Sequence, residues 1–220
     1  MTDPPPGLKP GPQPQPGPAT GPPAVAGVVL AAGGGSRYGQ PKALVRFRGE
    51  LLVERACRLL AEGGCQPVLA VLGAGAEQVL ATARLPSTVH NPDWPTGIGS
   101  SVRAGLTAVP PAAAAVVVAL ADEPLVGAEA VRRLIAAYLD RPGGAAVASY
   151  AGQPRNPVLL DRAVFAEVAA SAVGDRGART WLRANPALVT VVPCDDTGDV
   201  LDIDTPDDLA IALARADKGD

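Results

Sequence analysis

The densest run of chemically useful residues lies between Leu30 and Lys42, where the chain reads Leu-Ala-Ala-Gly-Gly-Gly-Ser-Arg-Tyr-Gly-Gln-Pro-Lys. Gly33, Gly34 and Gly35 carry no Cβ, so the backbone N–H groups of this turn can close on a polyphosphate. Arg37 adds a planar fork and Lys42 a point charge for phosphate oxygens. The run is not a Walker A loop, because Gly39 is followed by Gln-Pro, and not a dinucleotide fingerprint, because the third glycine would fall on Tyr38. A second set is acidic: Asp122 follows one apolar run, and Asp202 and Asp204 lie at the end of another. A magnesium ion takes a few carboxylates and completes its shell with water and phosphate oxygens, which Asp122 and Asp204 could provide. Strand alternation puts Asp202 on the same face as Asp204, either behind the ion or as an alternative ligand. Ser100 and Ser101 form a third set at an expected helix start, where free N–H groups and the dipole favour an anion. With His90 the only histidine, the sequence argues against a histidine-built zinc site or a Ser-His-Asp triad.

These groups are useful only if the fold gathers them. Apolar runs of strand length occupy 24–32, 67–73, 114–121, 145–150, 157–160, 188–194 and 200–204. Between them, helical spacing joins Leu52, Ala56, Leu59 and Leu60, then Val102, Leu106 and Val109, then Val131, Leu134, Ile135, Tyr138 and Leu139. A last helix opens at Thr205-Pro206-Asp207-Asp208, with a cap, a first-position proline and acids in the first turn. Strands apolar throughout and alternating with helices predict an α/β fold whose mainly parallel sheet is covered on both faces. Ligands of such sheets bind beyond the carboxyl ends of the strands, where strand order reverses. Residues 1–23 hold ten of the 24 prolines and predict an extended, disordered tail. The net charge of −3 argues against a nucleic-acid or anionic-membrane partner. Three cysteines without a CxxC pair, no run long enough to span a bilayer and no signal-peptide layout predict a cytoplasmic protein.

The stretch from Leu30 to Lys42 resembles the L-A-A-G-x-S-x-R-x-G-x-x-K signature of the MobA-like nucleotidyltransferase superfamily, and most closely its molybdenum cofactor cytidylyltransferases. Ala-Asp-Glu-Pro at 121–124, Asp-Ile-Asp-Thr-Pro at 202–206, Asn-Pro-Asp-Trp at 91–94 with Gly97 and Ser100-Ser101, and Gly-Asp-Arg-Gly-Ala-Arg at 174–179 are similar to further motifs of the same relatives. The resemblance implies a Rossmann-like three-layer nucleotidyltransferase domain over 24–215, followed by a short tail at 216–220. It implies transfer of CMP from CTP to the terminal phosphate of molybdopterin or molybdenum cofactor, with Mg²⁺ and release of pyrophosphate. By the same resemblance Arg37, Lys42 and Asp122 are catalytic, and Asp122 and Asp204 hold the metal. The nucleotide meets Leu30, Ala31, Ala32, Gly33, Gly34, Gly35, Ser36, Gly73, Asn91, Ser100 and Ser101, while Asp175, Arg176, Arg179 and Asn156 meet the acceptor. A molybdenum hydroxylase is an implied transient partner. One departure bears on the acceptor: relatives carry Gly-His-Pro where this chain has Arg155-Asn156-Pro157. A guanylyltransferase on the same pterin, another phosphate-acceptor transferase, and a non-catalytic cofactor-binding chaperone are the alternatives.

Overall fold

A computed structural model describes residues 23–219; most of the proline-rich segment expected to be disordered lies outside the described residues. Seven strands form one sheet in the order β5-β4-β1-β6-β8-β7-β9. They are β1 (Val25–Ala31), β4 (Val68–Leu72), β5 (Thr88–His90), β6 (Ala115–Leu120), β7 (Ala145–Tyr150), β8 (Gln153–Asp161) and β9 (Val189–Pro193). A separate two-stranded hairpin pairs β2 (Arg46–Phe47) with β3 (Glu50–Leu51). All neighbours in the large sheet run parallel except β8, which is antiparallel to both β6 and β7. The fold is therefore the expected three-layer α/β sandwich with a mainly parallel sheet.

Every residue of β1 is buried, and alternate side chains feed two different cores. Val25, Val29 and Ala31 face the layer built by α1 (Leu52–Glu62) and α4 (Ala128–Asp140), where Leu60, Val131 and Leu134 are fully enclosed. Ala26, Val28 and Leu30 face α3 (Ile98–Ala108) and α5 (Phe165–Ser171), through Val102, Leu106 and Val168. With so few aromatics, these layers close on valine, leucine and alanine, and Gly105 lets α3 settle on the sheet because a Cβ there would lie 2.7 Å from Val28. The helices α2 (Ala76–Thr82) and α6 (Arg179–Ala184) complete the cover.

Two expectations are corrected. Residues 200–204 are not a strand. β6 already has β1 on one edge and β8 on the other, so no ladder is open beside it. The segment instead runs along the loop after β6, tied by Asp199 N–H to the Leu125 carbonyl and by Ile203 N–H to the Asp122 carbonyl. Residues 216–219 do not leave the domain as a tail, because α7 (Pro206–Gly219) continues through them and Ala216 packs on the small cluster around Phe47, Leu52 and Ile203. Among the described residues no helix is long and apolar enough to cross a membrane. Cys57, Cys65 and Cys194 are buried and unpaired, and burial pushes the Cys57 and Cys65 thiols up to about 12, too high for thiolate chemistry at neutral pH.

Candidate active site

Strand order reverses at β1, with β4 on one side and β6 on the other. The loop that leaves β1 at Ala32 crosses this point. Gly35 turns it, with φ +59° and a carbonyl that accepts the N–H groups of both Tyr38 and Gly39; a Cβ at Gly35 would lie 2.0 Å from the Gln40 carbonyl oxygen. The ring of Trp94 seats the loop from outside. A Cβ at Gly34 would meet it at 3.3 Å, and one at Gly73 would meet its base at 2.6 Å. Ala32 and the turn after β4 are joined by Ala74 N–H to the Ala32 carbonyl. Gly73 is thus a close-approach position, required by the packing of the indole.

The loop delivers Lys42 between two carboxylates. Its Nζ lies 2.6 Å from Asp122 Oδ2 and 2.5 Å from Asp204 Oδ1. Arg37 Nη2 lies 2.8 Å from the other oxygen of Asp204. Lys42 and Asp122 are about four-fifths shielded from solvent, whereas Arg37 is 69% exposed. Burial disfavours the Lys42 ammonium, yet Asp122 and Asp204 together outweigh that and hold it above its ordinary value. Asp204 owes its place to α7. Asp208 accepts from the N–H groups of Asp204 and Thr205 and from the Thr205 hydroxyl, while Thr205 Oγ1 accepts the Asp208 N–H. This reciprocal cap fixes the loop that carries the carboxylate.

Among the described residues no three His, Cys, Asp or Glu side chains form a self-contained metal cage. Two carboxylates open to water and phosphate oxygens are nonetheless the donor set that suits a hard, magnesium-type ion, so Asp122 and Asp204 fit one. Asp202 stands close behind them: burial, then the charges of Asp122 and Asp204, raise its carboxyl.

Asn91, Ser100 and Ser101 come together at the start of α3. All three are buried, and Asn91 Nδ2 donates to Ser100 Oγ at 2.9 Å and Ser101 Oγ at 3.0 Å. The helix starts at Ile98, before the serines, and its Gly99 N–H is taken by the Gly174 carbonyl. These groups brace the 91–101 loop against α3, and an anion finds no free Gly99 N–H there. His90 ends β5 with its side chain exposed.

On the far side of Asp122 the structure gathers the expected acceptor residues. Asn156, Asp175, Arg176 and Arg179 all line one cavity of about 1160 Å³, and Leu30 reaches its floor. Glu123 stands at the boundary between this cavity and the carboxylate pair. It is 9% exposed, 3.4 Å from Asn156 Nδ2, and pushed up to about 8 by burial and by the charges of Asp202 and Asp122. Sequence reasoning passed over Glu123, because an acid after Asp122 reads as part of a turn. It also passed over Arg183, although its i+4 spacing from Arg179 was a signal.

Comparison with known proteins identifies the family. The family described as the MobA-like NTP transferase domain matches residues 27–191. The chain is 40% identical over 197 residues to the nicotine blue oxidoreductase of Paenarthrobacter nicotinovorans, covering 85% of this chain and 95% of that protein. The crystal structure of the Rv0371c homologue from Mycobacterium sp. strain JC1 superposes with TM-score 0.78 at 30% identity, over 89% of this chain and 98% of that one. Rv0371c from Mycobacterium tuberculosis, solved in complex with manganese, superposes with TM-score 0.73 at 29% identity, over 87% and 98%. With its glycine loop, Arg37–Lys42 cation pair and twin aspartates in one crevice, the chain belongs to the MobA-like NTP transferase family and is a nucleotidyltransferase.

Proposed function

We propose that the protein transfers CMP from CTP to the terminal phosphate of a pterin acceptor, molybdopterin or its molybdenum-loaded form, releasing pyrophosphate. The observation that carries this reading is the adjacency of two sites across Asp122 and Glu123: a cationic, glycine-walled loop on one side and a large cavity on the other. The loop holds the triphosphate on the backbone N–H groups around Gly34–Arg37, with Arg37 and Lys42 neutralising charge as the α-phosphate is attacked. A divalent cation held by Asp122 and Asp204 would add Lewis-acid stabilisation of the phosphate oxygens. The acceptor phosphate attacks in line from the cavity; its new bond to the α-phosphorus forms as the bond to the β-phosphate oxygen breaks. The transfer asks for positioning and charge more than for a general base, which suits a chain with one remote histidine. A molybdenum hydroxylase would be the receiving partner, in the cytoplasm.

The test is pyrophosphate release with Mg²⁺, each of the four NTPs, and molybdopterin or molybdenum cofactor as acceptor. Release with CTP alone supports the reading, and release with GTP alone replaces the product with the guanine dinucleotide. A second reading is favoured by the 40% identity to a protein named an oxidoreductase. It keeps the nucleotide loop and replaces group transfer with electron transfer. Stoichiometric reduction of nicotine blue by a reduced nicotinamide nucleotide, with no pyrophosphate from any NTP, would establish it. Tight cofactor binding with neither activity would leave a chaperone.

A further inference from the structure

The protein has sixteen arginines and a net charge of −3. Among the described residues, seven arginines hold a carboxylate and four a main-chain carbonyl. Of the remaining five, Arg84 aside, four line the same cavity, Arg155, Arg176, Arg179 and Arg183, and the one carboxylate among its lining residues is Asp175. The floor beneath them is apolar and continuous across four neighbouring strands, through Leu30, Val118, Val158 and Val147. A cavity with an apolar floor and a rim of uncommitted guanidinium groups fits an organic anion with a flat, apolar body.

The arginines stand on two different walls. Arg155 belongs to β8, beside Asn156, whose Nδ2 lies 3.4 Å from Glu123 Oε1, which places it at the end nearest the carboxylate pair. Arg179 and Arg183 belong to α6, one helical turn apart on one face, with Arg176 just before the helix. Resting on the reading of this cavity as the acceptor site, we infer that it takes an acceptor with two separate anionic groups. The reacting phosphate is held at the Arg155 end and a second oxyanion by Arg179 and Arg183 on α6. The α6 arginines are then specificity residues that reject acceptors bearing only the reacting phosphate.

The experiment uses the full chain and two simple probes, naphthalene monosulfonate and naphthalene disulfonate, titrated by calorimetry. The disulfonate is expected to bind about tenfold tighter, the scale of one charge-assisted contact. The preference should fall as salt is raised, since the rim is exposed. In the Arg179→Gln/Arg183→Gln protein the disulfonate should weaken to the level of the monosulfonate, while CTP binding and the thermal midpoint stay as in wild type. Equal affinity for the two probes in wild type, or a preference that survives the double substitution, overturns the inference. Competition decides the underlying reading separately: the disulfonate should inhibit pyrophosphate release competitively with the pterin acceptor. A preference lost on substitution, with no such inhibition, would retain an oxyanion site and reject the cavity as the acceptor site.

Discussion

Lys42 is the residue on which the donor half of the site turns. Its ammonium sits within hydrogen-bond distance of both Asp122 and Asp204, the pair that would hold a divalent cation. Ion and ammonium therefore compete for the same oxygens until a triphosphate arrives to receive the lysine. Lys42→Met should cost about a hundredfold or more in pyrophosphate release, the scale seen when one charge-stabilising donor is removed. The same protein should bind Mn²⁺ more tightly than wild type without nucleotide, by calorimetry, because Asp122 loses its cation and Asp204 keeps only the exposed Arg37. Weaker Mn²⁺ binding would refute the competition. Glu123 gives a prediction of opposite character. Its folded value is raised to about 8, so between the ordinary carboxylate range and about 8 the folded state holds a proton that the unfolded state has lost. Stability from this group is present at low pH and drains away as pH rises through that window. Glu123→Gln should then gain on wild type in chelator-treated melts as pH goes from about 5 to about 8.

At the scale of elements, the site depends on how α7 begins. The Thr205–Asp208 cap satisfies the first N–H groups of the helix and also the N–H of Asp204. Asp208→Ala should lower the thermal midpoint by about 2–4 °C, the scale of a lost capping contact in a domain of this size. It should weaken Mn²⁺ binding as well, which an exposed cap remote from a site would not do. The start of this helix was legible in Thr205-Pro206-Asp207-Asp208, because capping is local chemistry. The strands were legible too, since runs such as 25–31 and 115–120 are apolar without interruption. The segment 200–204 was misread for the reason that pairing is not local: its composition suits a strand, but both edges of β6 are filled by β1 and β8. For Ser100 and Ser101 the helix start was legible but the partners of its groups were not. Type and position suggested a helix start open to anions, and only the tertiary contact with the Gly174 carbonyl and the bond from Asn91 show those groups committed.

In the whole molecule, the glycine loop and aspartate pair sit by β1, β6 and the start of α7, while the large cavity lies over β8, β7 and α6. Besides the β6–β8 ladder that carries the cavity floor across, the halves are joined at Glu123 with Asn156 and where the start of α3 meets the loop at 174–175. Gly97 governs the second. Its φ is +108°, and a Cβ there would lie 2.4 Å from the Gly174 carbonyl carbon and 2.8 Å from Asp175 Oδ1. Backbone that close cannot rotate away, so an added methyl must push the 174–179 loop, and with it Arg176 and Arg179, out of place. Gly97→Ala should raise the acceptor KM about tenfold, on the scale of about 1.4 kcal/mol, while CTP binding stays at the wild-type level. Gly177→Ala is the matched control in the same loop. Its Cβ would meet Ile98 and Val102 at 3.8 Å, ordinary contact, and its kinetics should stay near wild type. If Gly97→Ala weakened CTP and acceptor alike, the two halves would be one cooperative unit, and the donor loop would depend on the acceptor wall for its shape. A loss confined to the acceptor would make the α3 start a one-sided support, with the nucleotide loop able to load before the acceptor cavity is filled.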